Sequence, residues 1–211
     1  MTSWLVQHSK DFGAFGGDML IKSTVEYISA SSYELERLGR NNANTSYASG
    51  FAEYFRWKSS GSESFAFMLF PEDMFPEEQF LDSYLIPYIV QYMNFANNML
   101  SFYKEELNGL DRANFIHTLT RSSGISPLEA SKRTSERVVC ISQDIREIVH
   151  GNTALEDAME RFLHGYLKFH LGQSRYRLIE LNIAAAREAK ELLKPIIFKG
   201  TVSRMGWKRH G

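Results

Sequence analysis

Residues 88–105 constrain the fold more than any other stretch of the chain. They run apolar at a 3.6-residue period, the mark of a helix packed on one side. The segment ends in Asn97-Asn98-Met99-Leu100-Ser101-Phe102-Tyr103-Lys104-Glu105. With about 100° of turn per residue, Ser101 lies about 40° from Asn97, Lys104 about −20° and Glu105 about 80°. An amide, a hydroxyl, an ammonium and a carboxylate thus share one side of the helix. Hard oxygen donors of modest total charge suit Mg²⁺, which keeps several waters and shares its shell with phosphate oxygens. A lysine beside them suits phosphate too. On spacing alone the same set is equally an ordinary solvated helix face.

The rest of the chain reads as helix after helix. Residues 10–30 form a helix after a glycine-broken start, with Met19, Leu20, Val25 and Ile28 as its apolar face. Residues 39–48 are a polar loop. Phe51 to Phe70 is helical, with a break at Ser59-Ser60-Gly61-Ser62. Pro71 and Pro76 bracket a turn, Pro87 interrupts the next segment, and Asn108-Gly109 stops the central helix. Residues 109–125 read as a polar loop. Ser126-Pro127-Leu128-Glu129 then opens a helix with a serine cap, proline at the first position and an early acid. That helix runs to about His150, another spans 153–171, and a last one runs from Arg175 to Leu193. No stretch alternates as a strand would, so the expected fold is an all-α bundle. One domain over 1–198 and a basic, disordered tail over 199–211 are expected.

Composition narrows the function classes. The 211 residues are 44% hydrophobic and 13% aromatic, enough for a large core, and the formal net charge of −1 asks for neither nucleic acid nor an acidic membrane surface. The longest apolar run, Phe65 to Phe70, is far too short to span a bilayer. Cys140 is the sole cysteine, which excludes a disulfide framework and reads as inert core within the apolar run VVCIS. With no signal peptide at Met1, a cytoplasmic setting is the default. His164 and His170 are six apart and do not form a helical zinc pair.

The nine residues from Asn97 resemble the second metal-binding motif of class I terpene cyclases, the Asn/Ser/Glu triad. The form NxxxSFYKE is similar to the fungal trichodiene synthase family in particular. The resemblance places metal ligands at Asn97, Ser101 and Glu105. Asn98 departs from the usual aspartate at a position that is not a ligand. It further implies a diphosphate-sensing arginine at Arg56, in GFAEYFRWKSSG, and a diphosphate-binding lysine at Lys104. A late Arg-Tyr pair for the same diphosphate falls on Arg175 and Tyr176, in FLHGYLKFHLGQSRYRL. Asp111 matches an acid that pairs with that arginine when the site closes. The match covers about residues 10–190, with its motifs in the family's order.

The set is chemically coherent. A diphosphate carries several negative charges, and two guanidinium forks, an ammonium and a phenol can bind its oxygens. Tyr166 and Phe169, three apart and just before the Arg-Tyr pair, are candidate aromatic walls for a carbocation, although such spacing is more often plain core. The implied activity is a sesquiterpene cyclase that ionises and cyclises farnesyl diphosphate with Mg²⁺; a homodimer is compatible with it. One element of the family pattern is absent. No aspartate-rich motif occurs in the sequence. The chain is therefore expected to correspond to the C-terminal portion of a longer cyclase domain, inactive by itself. A second reading is a non-catalytic helical remnant of such a cyclase. A chain-elongating prenyl synthase fits worse, because those enzymes use two aspartate-rich motifs.

Overall fold

The computed structural model describes residues 2–37, 49–81, 84–108 and 115–192. All regular structure among them is helical, with no strand. The helices are α1 (Thr2–Ser9), α2 (Ala14–Arg37), α3 (Ser49–Ser59), α4 (Ser62–Met68), α5 (Glu77–Leu81) and α6 (Leu85–Asn108), then α7 (Phe115–Ser123), α8 (Pro127–Ile148), α9 (Thr153–Gly172) and α10 (Ala184–Leu192). No helix among the described residues is long and apolar enough to cross a membrane.

The central helix α6 buries Leu85, Ile89, Val90, Tyr92, Met93, Phe95 and Ala96. It packs on α8 through Val138, Ile141 and Ile145, on α9 through Met159 and Leu163, and on α4 through Ala66 and Phe67. Each large apolar side chain so buried contributes about 1.5–3 kcal/mol of transfer free energy. Pro87 does not interrupt α6. It sits in the first turn, where helix N–H groups have no intrahelical acceptor to lose. The turn between Pro71 and Pro76 folds the chain back, so that Phe70 stacks on Phe80 at 4.6 Å and meets Phe75 edge-on at 5.6 Å.

Two breaks set the geometry of the first half. At Gly61, φ is +65°, a conformation that side chains with a Cβ seldom adopt, and this separates α3 from α4. Gly17 lets α1 lie against α2, since a Cβ there would meet the Ser9 carbonyl oxygen at 2.5 Å. Buried hydroxyls then tie α2 to α4 through Ser23 and Ser64, 2.7 Å apart, and α4 to α6, where Ser62 Oγ donates to Asn94 Oδ1 at 2.9 Å. On α8 the Ser126 hydroxyl accepts from the Glu129 N–H at 3.1 Å, the cap expected there.

Several expectations are corrected. The expected apolar face of α2 is not one face. Leu20 is buried with Gly16, Gly17 and Ser23, whereas Val25 and Ile28 are exposed, because small residues make this contact. Residues 115–123 are a helix, not loop, held by buried Ile116 and by Phe115 packed edge-on against Phe95 at 5.4 Å. The last helix is not continuous from Arg175. Two short 3₁₀ turns, Ser174–Tyr176 and Leu178–Leu181, precede α10, separated by left-handed Arg177 (φ 59°) and Asn182 (φ 57°). The Arg177 fork onto Glu180, at 2.8 and 2.9 Å, secures the first of these. Cys140 is exposed, because Val138 and Ile141 take the inward positions of α8 and leave it facing out. The 39–48 loop, the end of the central helix at Gly109, Asp111 and the 199–211 tail lie outside the described residues.

Candidate functional site

Two separate segments converge on the C-terminal half of α6. The break at Gly61 ends α3 close to this helix, and Arg56 Nη2 donates to Asn97 Oδ1 at 2.6 Å. From the other side the 3₁₀ turn Ser174–Tyr176, directly after α9, packs on α6. It brings the Tyr176 ring to 5.8 Å from Lys104 Nζ and 5.7 Å from the Arg175 guanidinium carbon. Along α6 itself Ser101 is buried, and Lys104 Nζ pairs with Glu105 Oε1 at 3.2 Å, both side chains mostly buried. Asn97, Lys104, Glu105, Arg56, Arg175 and Tyr176 are therefore one neighbourhood.

The electrostatics of Tyr176 report the same convergence. Burial raises its phenol pKa, and Glu105 adds to the rise. Arg175, the Asn97 amide and Arg56 oppose it. The hydroxyl thus stays protonated and able to donate. Three cationic side chains stand here against Glu105, an arrangement suited to a polyanion. Asn97, Ser101 and Glu105 carry hard oxygen donors of the kind that could hold Mg²⁺. Asn97 Oδ1 and Glu105 Oε1 each face a cation of the chain itself, Arg56 and Lys104, so both oxygens already sit where positive charge is accommodated.

The candidate aromatic pair divides. Tyr166 is part-buried; its hydroxyl donates to the Met93 carbonyl at 2.9 Å and its ring lies 4.4 Å from that of His170. Burial pushes its phenol far above the usual range. Phe169 is 49% exposed, touching Tyr176 and His170 by its edge, and so is not buried as Tyr166 is. Asp111 lies outside the described residues.

Sequence reasoning dismissed one residue that belongs here. His170 is 3% exposed, and its Nε2 lies 3.2 Å from Asn97 Nδ2 while its Nδ1 lies 2.8 Å from the Tyr166 carbonyl. Burial and the nearby Arg175 hold its pKa below the ordinary histidine range, against the backbone bond. The available signal was its spacing four after Tyr166 on α9, which puts both rings on one face.

Comparison with known proteins identifies the family of the chain. The sequence pattern of the family described as Trichodiene synthase (TRI5) matches residues 1–206. An (E)-beta farnesene synthase of Metarhizium brunneum is 35% identical over 204 residues, covering 96% of this chain and 60% of that protein. Terpene synthase 29 of Postia placenta is 32% identical over 170 residues, covering 81% of this chain and 48% of that protein. A trichodiene synthase of Paramyrothecium roridum is 25% identical over 205 residues, covering 95% of this chain and 52% of that protein. The chain thus spans roughly half the length of the curated relatives it matches. The match runs through α3, α6 and the turn Ser174–Tyr176, and the helical architecture agrees with it; the chain belongs to the trichodiene synthase family.

Proposed function

We propose that this chain carries the diphosphate clamp and one metal site of a sesquiterpene cyclase acting on farnesyl diphosphate. The observation that carries this reading is the convergence of Arg56, Asn97, Lys104, Glu105 and Arg175 around the Tyr176 ring. The names of the relatives, which include a farnesene synthase and a trichodiene synthase, favour the same substrate class.

In this reading Asn97, Ser101 and Glu105 hold one Mg²⁺, which supplies Lewis-acid polarisation of the diphosphate oxygens. Arg56 and Arg175 each present a planar fork of donors to the diphosphate, and Lys104 adds a point charge. The protonated Tyr176 hydroxyl donates a neutral hydrogen bond. Together these groups steady the leaving group as the allylic C–O bond ionises. Tyr166 offers an aromatic face to the resulting cation. Arg56 and Lys104 must leave Asn97 and Glu105 to reach the diphosphate, so metal and diphosphate are expected to bind cooperatively.

On this reading the 211 residues supply ligands for one metal, and they contain no aspartate-rich motif. With so little charge set against the leaving group, ionisation is slow, since each ~1.4 kcal/mol of barrier is a factor of about ten in rate. The chain alone is therefore expected to bind prenyl diphosphate without turning it over, the behaviour shared with the remnant reading. Titration calorimetry with farnesyl diphosphate and Mg²⁺ should give a saturable heat that Arg175→Ala greatly weakens. Gas chromatography of the same mixture should show no hydrocarbon above the no-protein control. An absent heat, or one indifferent to Arg175, contradicts the clamp. A sesquiterpene product contradicts the expectation that the chain does not turn over by itself.

A further inference from the structure

We propose that His170 is a positioning residue that fixes the Asn97 carboxamide with its oxygen turned towards the metal site. The inference rests on the reading of Asn97 as a metal ligand, and its geometry is set by donor and acceptor rules. Arginine has only donors, so the Asn97 atom 2.6 Å from Arg56 Nη2 is the carbonyl oxygen. The amide nitrogen then faces His170 Nε2 at 3.2 Å, and that ring nitrogen must accept. An accepting Nε2 leaves the proton on Nδ1, where the Tyr166 carbonyl receives it at 2.8 Å. Each link determines the next, from α3 through α6 to the α9 backbone.

The position of His170 favours a specific role over mere packing. The residue is almost wholly buried, yet it spends both ring nitrogens on polar partners. Its ring lies between those of Tyr166 at 4.4 Å and Tyr176 at 4.6 Å, and a half-turn of the imidazole would put ring carbons where Nε2 meets Asn97 and Nδ1 meets the Tyr166 carbonyl. An amide whose two ends differ only by O and NH₂ can rotate by half a turn at little steric cost. Rotated, Asn97 would present two N–H groups to a cation and could not ligate one. His170 disfavours that state, because it would set an amide oxygen against an accepting nitrogen. Partners that orient a ligand in this way typically alter metal affinity by about 10–100-fold when removed.

The test uses Mn²⁺ as the probe, titrated against the chain in the presence of inorganic diphosphate and followed by electron paramagnetic resonance of the free ion. His170→Phe, which keeps a ring and loses the acceptor, should weaken Mn²⁺ binding about tenfold. His170→Gln, whose side-chain oxygen reaches the Nε2 position, should restore most of it. Nitrogen-15 spectra of the wild-type imidazole provide a check that needs no variant to fold. They should show a protonated Nδ1 and a bare Nε2. A protonated Nε2, or a His170→Phe protein that binds Mn²⁺ as tightly as wild type, overturns the role of His170 alone. Mn²⁺ binding by wild type that Glu105→Ala leaves unchanged sinks the metal reading itself, and His170's role with it.

Discussion

Arg56 and Asn97 are 41 residues apart in sequence and 2.6 Å apart in space, and that contact gathers the site. A guanidinium is suited to this place because its planar fork can bridge two diphosphate oxygens, whereas an ammonium is a point charge. Arg56→Lys keeps the charge and loses the fork. A charge-assisted hydrogen bond is worth about 1.5–3 kcal/mol, so the affinity for diphosphate should fall about tenfold or more. Calorimetry on the folded variant measures it, and an unchanged affinity would mean that Arg56 acts through charge alone. Helical period alone put Asn97, Ser101, Lys104 and Glu105 on one side of a helix, whereas Arg56, Arg175 and Tyr176 were singled out only by the family resemblance, and the structure brings these three close to Asn97, Lys104 and Glu105. His170 was not, because its meaning comes from Asn97, 73 residues away. Cys140 was assigned to the wrong face for a related reason: a short apolar run cannot show which of its members points inward.

At the scale of elements, the seam between α8 and α9 is crossed by Arg146, whose guanidinium bonds both carboxylate oxygens of Glu160, one of them at 3.1 Å. That bond, and then the charge of Arg146, hold the Glu160 carboxyl below the usual carboxylate range, with His164 adding a little. A carboxyl depressed in the folded state contributes stability above its unfolded pKa, and the contribution disappears as pH falls through the folded value. Both side chains are more than 40% exposed, so solvent screening limits the effect to about 1 kcal/mol or less. The stability gap between wild type and Glu160→Gln should thus be present at neutral pH and close on acidification through the folded-state pKa. A gap that persists at low pH would show that the pair acts through packing. Long elements such as α6, α8 and α9 were readable because period and caps agree along many residues. Short α7 and the broken stretch before α10 were not, since their shape depends on Phe95 and on an Arg177–Glu180 fork rather than on local pattern.

At the scale of the whole molecule, one bundle draws α3 and the turn Ser174–Tyr176, which lie on either side of α6 in sequence, onto α6. The helices around it leave apolar side chains in solvent, among them Tyr27 and Ile28 on α2 and Tyr54 and Trp57 on α3. The central claim is that Asn97, Ser101 and Glu105 bind one divalent ion in the same neighbourhood where Arg56 and Arg175 bind diphosphate. Crystals soaked in Mn²⁺ and inorganic diphosphate, with anomalous scattering recorded for manganese, test this directly. The account predicts a manganese peak within coordinating reach of oxygens of all three residues, with Arg56 moved off Asn97 onto the diphosphate alongside Arg175. A bound diphosphate with no manganese at Asn97, Ser101 and Glu105, or an Arg175 turned away from it, would contradict the account.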